Sequence, residues 1–300
     1  MKSPDPRNRD ILVYVNGSIV PRSEARVSVF DSVVQGGDAV WEGLRVYNGR
    51  IAAFGAHLER LQNSAKALAF ASIPSSDEVR QAVFSTLESN GMTEQAHIRL
   101  TLTRGEKITS GMNPRLNQSG CSLIVLAEWK PPVYSDSGIE VITASIRRNT
   151  PQCLDSKIHH NNLLNNILAA IEANVAGVDS AVMLDVNGFI SETNDTNIFL
   201  VRGGTLLTPF ADACLPGLTR QMVLDIAKDE RIPAREKNLS LTELYTADEA
   251  FTSGTMGELT PILKADGRVI GSGTGGPLTT RLQKLHRQYA FEHGEPLPFG

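Results

Sequence analysis

The sequence is poor in cysteine, with only Cys121, Cys153 and Cys214 in 300 residues. They are far apart and odd in number, and none falls in a C-x-x-C pair. That excludes a disulfide framework and a thiolate metal site, and it suits free thiols in a reducing cytoplasm. No apolar run reaches the ~18 residues of a membrane-spanning helix, so no membrane partner is expected. Basic residues do not dominate: 29 Lys and Arg face 33 Asp and Glu, a net charge of −4. Without a basic cluster there is no footprint for nucleic acid. The first residues, MKSPDPRNRD, lack the apolar core of a secretory signal, so a cytoplasmic location is expected. Internal repeats and low-complexity tracts are also missing.

What is present is ordinary globular material. Apolar residues make up 41% and charged residues 21%, enough for one large or two modest hydrophobic cores at this length. "ILVYVNGSIVP" predicts a hairpin turning at Asn16-Gly17. "HLERLQNSAKALAF" and "SSDEVRQAVFSTLESNG" have helical periodicity, the second opened by serine and closed by Asn90-Gly91. "HIRLTLT" and "CSLIVLAEW" predict strands. Then "KPPVYSDSG", residues 130–138, concentrates proline, serine and glycine as a linker does. Beyond it come a strand "IEVITAS", a helix through Leu164, Ile167, Leu168, Ile171 and Val175, and hairpins at Asn187-Gly188 and Gly203-Gly204. A helix "LTRQMVLDIAKDE", a strand "EAFTS", a hairpin "PILKADGRVIG" and a last helix "LTTRLQKLHRQYAF" complete the chain. The expected architecture is α/β (α+β) in two domains: a small one over 1–129 and a larger one over 139–300.

Several stretches carry chemistry. "DSKIHHNNLLNN" sets Lys157 before a helix, among amides and imidazoles. A solvated lysine needs no such setting. A desolvated lysine beside a positive helix end would have a depressed pKa, as a nucleophile requires. His159-His160 are adjacent, not four apart, so a metal site is not expected. "GSGTGG" at 271–276 fits G-x-G-x-x-G, but no strand follows it in the 24 residues left, and a flexible glycine loop suffices. "CLPGLTRQ" turns into a helix whose first N–H groups, at Leu218 and Thr219, suit a phosphate. "FTSGTMGELTP" makes a small-residue turn at Ser253-Gly254-Thr255, either an anion nest or a plain strand turn. "GFISETNDTNIFLV" carries Glu192 near a strand end, where an exposed edge glutamate is the plainer alternative.

The order of these pieces, with "DSVVQGGDAVWEGLRVY" and "HLERLQNSAKAL" upstream and "GPLT" downstream, resembles the fold type IV (class IV) pyridoxal-phosphate enzymes over roughly residues 11–282. Within them it is most similar to the branched-chain aminotransferases. The resemblance implies pyridoxal 5'-phosphate at a domain interface, with Lys157 as its Schiff-base lysine. It also implies Glu192 at the pyridine nitrogen, Arg60 as a charged fork on the phosphate, and Leu215 against the ring. Leu218, Thr219 and Thr255 would complete the phosphate contacts. Asn162 stands where the branched-chain enzymes carry a tyrosine toward the phenolic oxygen. Gln35, Trp41, His97, Met256 and Gly257 also depart from the pattern, on the substrate side. Arg99 is kept, and it or Arg115, in the glycine-rich stretch 110–120, is expected to approach the substrate carboxylate as a mobile loop orders.

The implied activity moves an amino group from an amino acid, apolar or branched-chain, to a 2-oxo acid, in at least a homodimer. D-amino-acid or (R)-amine transamination and an aminodeoxychorismate lyase-like reaction are the alternatives within the superfamily. A non-catalytic binding protein of the same fold is the alternative outside it.

Overall fold

The computed structural model describes residues 4–134 and 137–299. The chain forms two compact units: residues 1–131, 158–162 and 290–300, and residues 132–157 and 163–289.

In the first unit, β1 (Leu12–Val15) and β2 (Ser18–Pro21) form the hairpin predicted at Asn16-Gly17. A short helix α1 (Ser32–Gly36) leads into β3 (Ala39–Tyr47) and β4 (Arg50–Ile51). Helices α2 (Phe54–Ala67) and α3 (Ser76–Asn90) follow, then β5 (Ala96–Thr103) and β6 (Ser122–Trp129). The sheet is antiparallel throughout, ordered from a short strand Glu295–Pro296 through β4, β3, β5, β6, β1 and β2. Alternation on β5 sends Ile98, Leu100 and Leu102 into the core with Leu58, Leu61, Val83 and Leu87 of the two helices. His97, Arg99 and Thr101 take the other face.

The second unit opens with β7 (Ile139–Thr143), α4 (Leu164–Ala176), β8 (Ser180–Leu184) and β9 (Ile190–Thr193). Next come β10 (Asn197–Arg202), β11 (Thr205–Thr208), α5 (Leu218–Asp229), β12 (Ala234–Glu236) and α6 (Leu241–Tyr245). It ends with β13 (Glu249–Gly254), β14 (Glu258–Ala265), β15 (Arg268–Val269) and α7 (Pro277–Glu292). The mixed sheet runs β12-β11-β10-β13-β14-β7-β8-β9, with β15 on β14. Its central strands are buried on both faces, so β10 is a continuous apolar run. Phe199 and Phe251 stack at 5.1 Å on the side packed by Val223 and Ile226 of α5. Ile198 and Leu200 pack on the opposite side with Leu239 and Leu244.

Three features depart from the sequence expectation. The units are not two contiguous halves, because 158–162 group with the first. There the Trp41 N–H donates to the His159 carbonyl and the Asn161 N–H to the Ala39 carbonyl, both at 2.9 Å. This segment takes the stretch of the β3 edge that the two-residue β4 does not reach. The C-terminal residues group with the first unit for the same reason, since Glu295–Pro296 pairs with β4. In the expected linker, Ser135 and Asp136 lie outside the described residues, while Val133 is held to the Met256 carbonyl at 2.9 Å. Finally, the apolar residues whose spacing marks α4 do not make its inward face: Leu164, Ile167, Leu168, Ile171 and Val175 are exposed, and the small residues Ala169 and Ala173 pack inward.

Candidate active site

In the second unit the chemistry gathers around Glu192. It lies on β9, 5% exposed. Its Oε1 accepts from Arg148 Nε at 2.5 Å and from the Leu215 N–H at 3.4 Å, and its Oε2 accepts from Asn197 Nδ2 at 3.1 Å. Burial pushes the carboxyl up from its ordinary value, and Arg148 opposes that push. Asn197 also donates to the Leu215 carbonyl at 2.9 Å, so one amide ties the carboxylate to the chain that leads into α5. A carboxylate oxygen accepts two donors readily. Oε2 carries one, at 3.1 Å, and keeps room for a second.

Helix α5 begins at Leu218, with Gly217 at its N-cap and no side-chain cap. The leading N–H groups of such a helix have no acceptor of their own and favour an anion. Thr219, buried in the first turn, adds a hydroxyl. Thr255, Met256 and Gly257 form the turn between β13 and β14, where the Tyr134 ring lies over Gly257 and a Cβ there would meet it at 3.1 Å. Just before that turn, Ser253 Oγ is buried and makes no hydrogen bond among the described residues.

Lys157 does not stand at a helix mouth. Asp155 Oδ1 accepts its backbone N–H at 3.0 Å, which makes a turn, and α4 begins seven residues later at Leu164. The intervening backbone is spent on the β3 edge, so it cannot wind. A positive helix end is therefore not what acts on the amine. The side chain is exposed, and its Nζ donates to the Asp212 carbonyl at 3.4 Å. Together these groups suit a phosphorylated pyridine aldehyde: an amine to bind it, a buried acceptor for a ring N–H, and a helix end for the phosphate.

In the first unit Arg60, on α2, grips the fully buried Glu42 through Nε at 2.8 Å and Nη2 at 2.6 Å. His57 Nδ1 lies 2.7 Å from the same carboxylate and His159 Nδ1 3.2 Å. Burial alone would raise Glu42, but His159 and Arg60 hold it well below the usual carboxylate range. Burial takes His159 down to about 4 despite Glu42. Arg60 is the permanent cation of this cluster. Trp41 packs on the His159 ring at 4.0 Å, and the Arg99 guanidinium lies 3.4 Å over the Trp41 ring. Burial lowers Arg99 to about 10, against the pull of Glu42. Burial, together with Lys130, Arg45 and Arg99, takes His97 to about 3. Asn162 donates to the Gly37 carbonyl at 3.0 Å and Gln35 to the Val29 carbonyl at 3.2 Å.

Arg115 is exposed on a single 3-10 turn. The loop around it is tied rather than loose: Lys107 Nζ donates to the Gly111 carbonyl at 2.7 Å and Asn117 Nδ2 to the Gly105 carbonyl at 2.6 Å.

A family model described as amino-transferase class IV matches residues 39–265, three quarters of the chain. The chain belongs to the class IV aminotransferases. Among relatives of this family, "Branched-chain-amino-acid aminotransferase-like protein 2" of Arabidopsis thaliana is 58% identical over 98% of this chain and 53% of its own length. The chain thus spans about half the length of the first curated relatives it matches. A "putative branched-chain-amino-acid aminotransferase" of Methanocaldococcus jannaschii is 40% identical over 94% of this chain and 97% of its own. Among solved class IV structures, Escherichia coli branched-chain amino acid aminotransferase aligns with a TM-score of 0.89 at 32% identity, covering 95% of this chain and 96% of that one. The branched-chain amino acid aminotransferase of Thermobaculum terrenum, solved in its PLP-form, aligns with a TM-score of 0.85 at 26% identity, covering 95% of each chain.

Sequence reasoning missed Arg148, Asn197, Glu42, His57 and the part played by His159. Asn197 lies five residues after Glu192 and opens β10, and a polar side chain at the head of the apolar run 198–201 was the available signal. Arg148 lies in an irregular stretch, "SIRRNTP", that carries no periodicity to mark which arginine turns inward.

A Cβ at Gly217 would collide with Asn197 Oδ1. Gly217→Ala is expected to dislodge Asn197 and strip Glu192 Oε2 of its donor, costing about 2–3 kcal/mol by chemical denaturation. A pH effect comes from the first unit. His97 is neutral in the folded chain down to about 3, whereas unfolded it protonates near 6.5. Its contribution to stability is complete above pH ~6.5 and is lost as pH falls toward 3, at up to ~1.4 kcal/mol per pH unit. His97→Gln is expected to flatten the acid limb of a stability-versus-pH curve by that slope.

Proposed function

We propose that the protein is a pyridoxal 5'-phosphate-dependent aminotransferase acting on apolar or branched-chain amino acids and 2-oxo acids. The observation that carries this reading is the open Oε2 of a buried, arginine-held Glu192, on the same unit as Lys157 and the uncapped α5. Bound cofactor would supply the electron sink for the transfer. Lys157 bears the cofactor and shuttles the proton with its amine. Glu192 accepts from the ring nitrogen, and Leu215 packs on the ring. The Leu218 and Thr219 N–H groups bind phosphate oxygens, with hydroxyls from Thr219 and Thr255. Arg60 is assigned to the phosphate as a positive charge and not as the expected fork, because its Nε and Nη2 are taken by Glu42; Asn162 is assigned to the phenolic oxygen. Met256 and Gly257 are assigned to the substrate carboxylate through backbone N–H groups, with Arg99 or Arg115 approaching it. Gln35, Trp41 and His97 complete the substrate-side set.

The relatives named as branched-chain aminotransferases support the substrate class. A homodimer is part of the same proposal, supported by the exposed apolar stripe of α4, which a second copy would cover. Among the described residues no helix is long and apolar enough to cross a membrane, and no cluster of His, Cys, Asp or Glu suits a metal. Cytoplasmic location belongs to the proposal.

The test is a donor panel on cofactor-loaded protein, followed by cofactor absorbance: L-leucine, L-isoleucine, L-valine, L-glutamate, D-amino acids and an (R)-arylamine. L-branched-chain donors are expected to convert the cofactor band fastest. Preference for D-amino acids or the arylamine would move the protein to those transaminases, and release of pyruvate from aminodeoxychorismate would favour the lyase. A band indifferent to every amine would leave only a binding role.

A further inference from the structure

Glu192 is not held by one partner alone, and its two oxygens are treated differently. Oε1 receives Arg148 Nε and the Leu215 N–H, while among the described residues Oε2 receives the Asn197 amide alone. Arg148 is itself fixed from behind. Its backbone N–H donates to the Leu184 carbonyl at 2.9 Å, at the end of β8, and its side chain is 6% exposed. Its Nη1 is buried and makes no hydrogen bond among the described residues. A guanidinium placed this way, with one nitrogen unsatisfied, is a poor stabilising device, because replacing a buried ion pair by apolar groups is often neutral or favourable. Its placement is explained if the carboxylate has to remain charged inside the fold.

We propose that Arg148 is a positioning residue of this site. Through Nε it pins Glu192 Oε1 and keeps the carboxylate ionised, which leaves Oε2 as an acceptor for a protonated ring nitrogen. The assignment of that nitrogen to the cofactor rests on the function proposed above; the effect on Glu192 does not. A protonated Glu192 would offer a hydrogen where an acceptor is needed, and a cationic ring nitrogen would have no counter-charge. The other ionisable groups around this carboxyl are Asp195, whose charge opposes ionisation, and Cys214, which burial and Glu192 keep protonated; Arg220, Arg148 and Lys157 are the cations near that thiol. Among the described residues Arg148 is the cation that touches the carboxylate.

The test is an infrared pH titration of the protein without cofactor or substrate, using difference spectra against Glu192→Gln to isolate the Glu192 carboxyl. In the wild-type protein the acid carbonyl band is expected to be missing at neutral pH and to appear only on acidification. In Arg148→Gln the midpoint should rise by about 1–3 pH units, the usual effect of losing an opposite charge at contact distance. Arg148→Lys keeps a buried cation and serves if the glutamine variant does not fold; its midpoint should fall between the two. In the loaded enzyme, Arg148→Gln should depress kcat and shift its acid limb upward while leaving KM near wild type. The same substitution in a Glu192→Gln background should add little. A Glu192 midpoint unmoved in Arg148→Gln and Arg148→Lys, or a wild-type carboxyl already protonated at neutral pH, would overturn the proposal. A shifted midpoint in a protein that transaminates nothing would uphold Arg148 and reject the function instead.

Discussion

The buried pair Arg148–Glu192 is the constraint around which the second unit is arranged. A carboxylate inside a fold must be protonated or paired, since isolated ionised groups are prohibitively costly there. Here the pairing comes from an arginine in the irregular stretch after β7, an amide on β10 and a backbone N–H before α5. Three separated stretches of chain must therefore be in register before Glu192 is satisfied. Gly217 is small because Asn197 needs the space. The approach to α5 is consequently fixed relative to β9, and its uncapped N-terminus with it.

The first unit solves a related problem in another way. Glu42 is fully buried on β3, and Arg60, His57 and His159 converge on it. The two histidines differ in origin: one comes from α2 and the other from the segment that pairs with β3. Arg60 is a permanent countercharge to this carboxylate and is oriented by it. An arginine gripped through Nε and Nη2 has its plane fixed, which a lysine in that place could not achieve.

Much of the fold was legible in the sequence. The hairpins announced themselves through Asn-Gly and Gly-Gly turns. Helix α3 was bracketed by its Ser75 capping box and by Gly91 at its end. The order of motifs carried the family, and Lys157, Glu192, Leu218 and Thr219 all fall in the second unit. What escaped was what depends on side chains meeting at a distance. Nothing local marks Arg148 rather than Arg147 as the buried one. The stretch 158–162 read as the run-up to a helix, because its pairing with β3 joins residues more than a hundred apart in sequence. The spacing of the α4 apolar residues marked a helix but not its inward side, because periodicity reports an apolar face without saying what covers it.

In the proposed function the second unit holds a cofactor through Lys157, beside Glu192 and α5. The most direct measurement is borohydride reduction of the protein loaded with pyridoxal 5'-phosphate, followed by proteolysis and mass spectrometry. A single phosphopyridoxyl-modified peptide is expected, with the label on Lys157. A label on any other lysine, or none on a protein that has bound the cofactor, would contradict it.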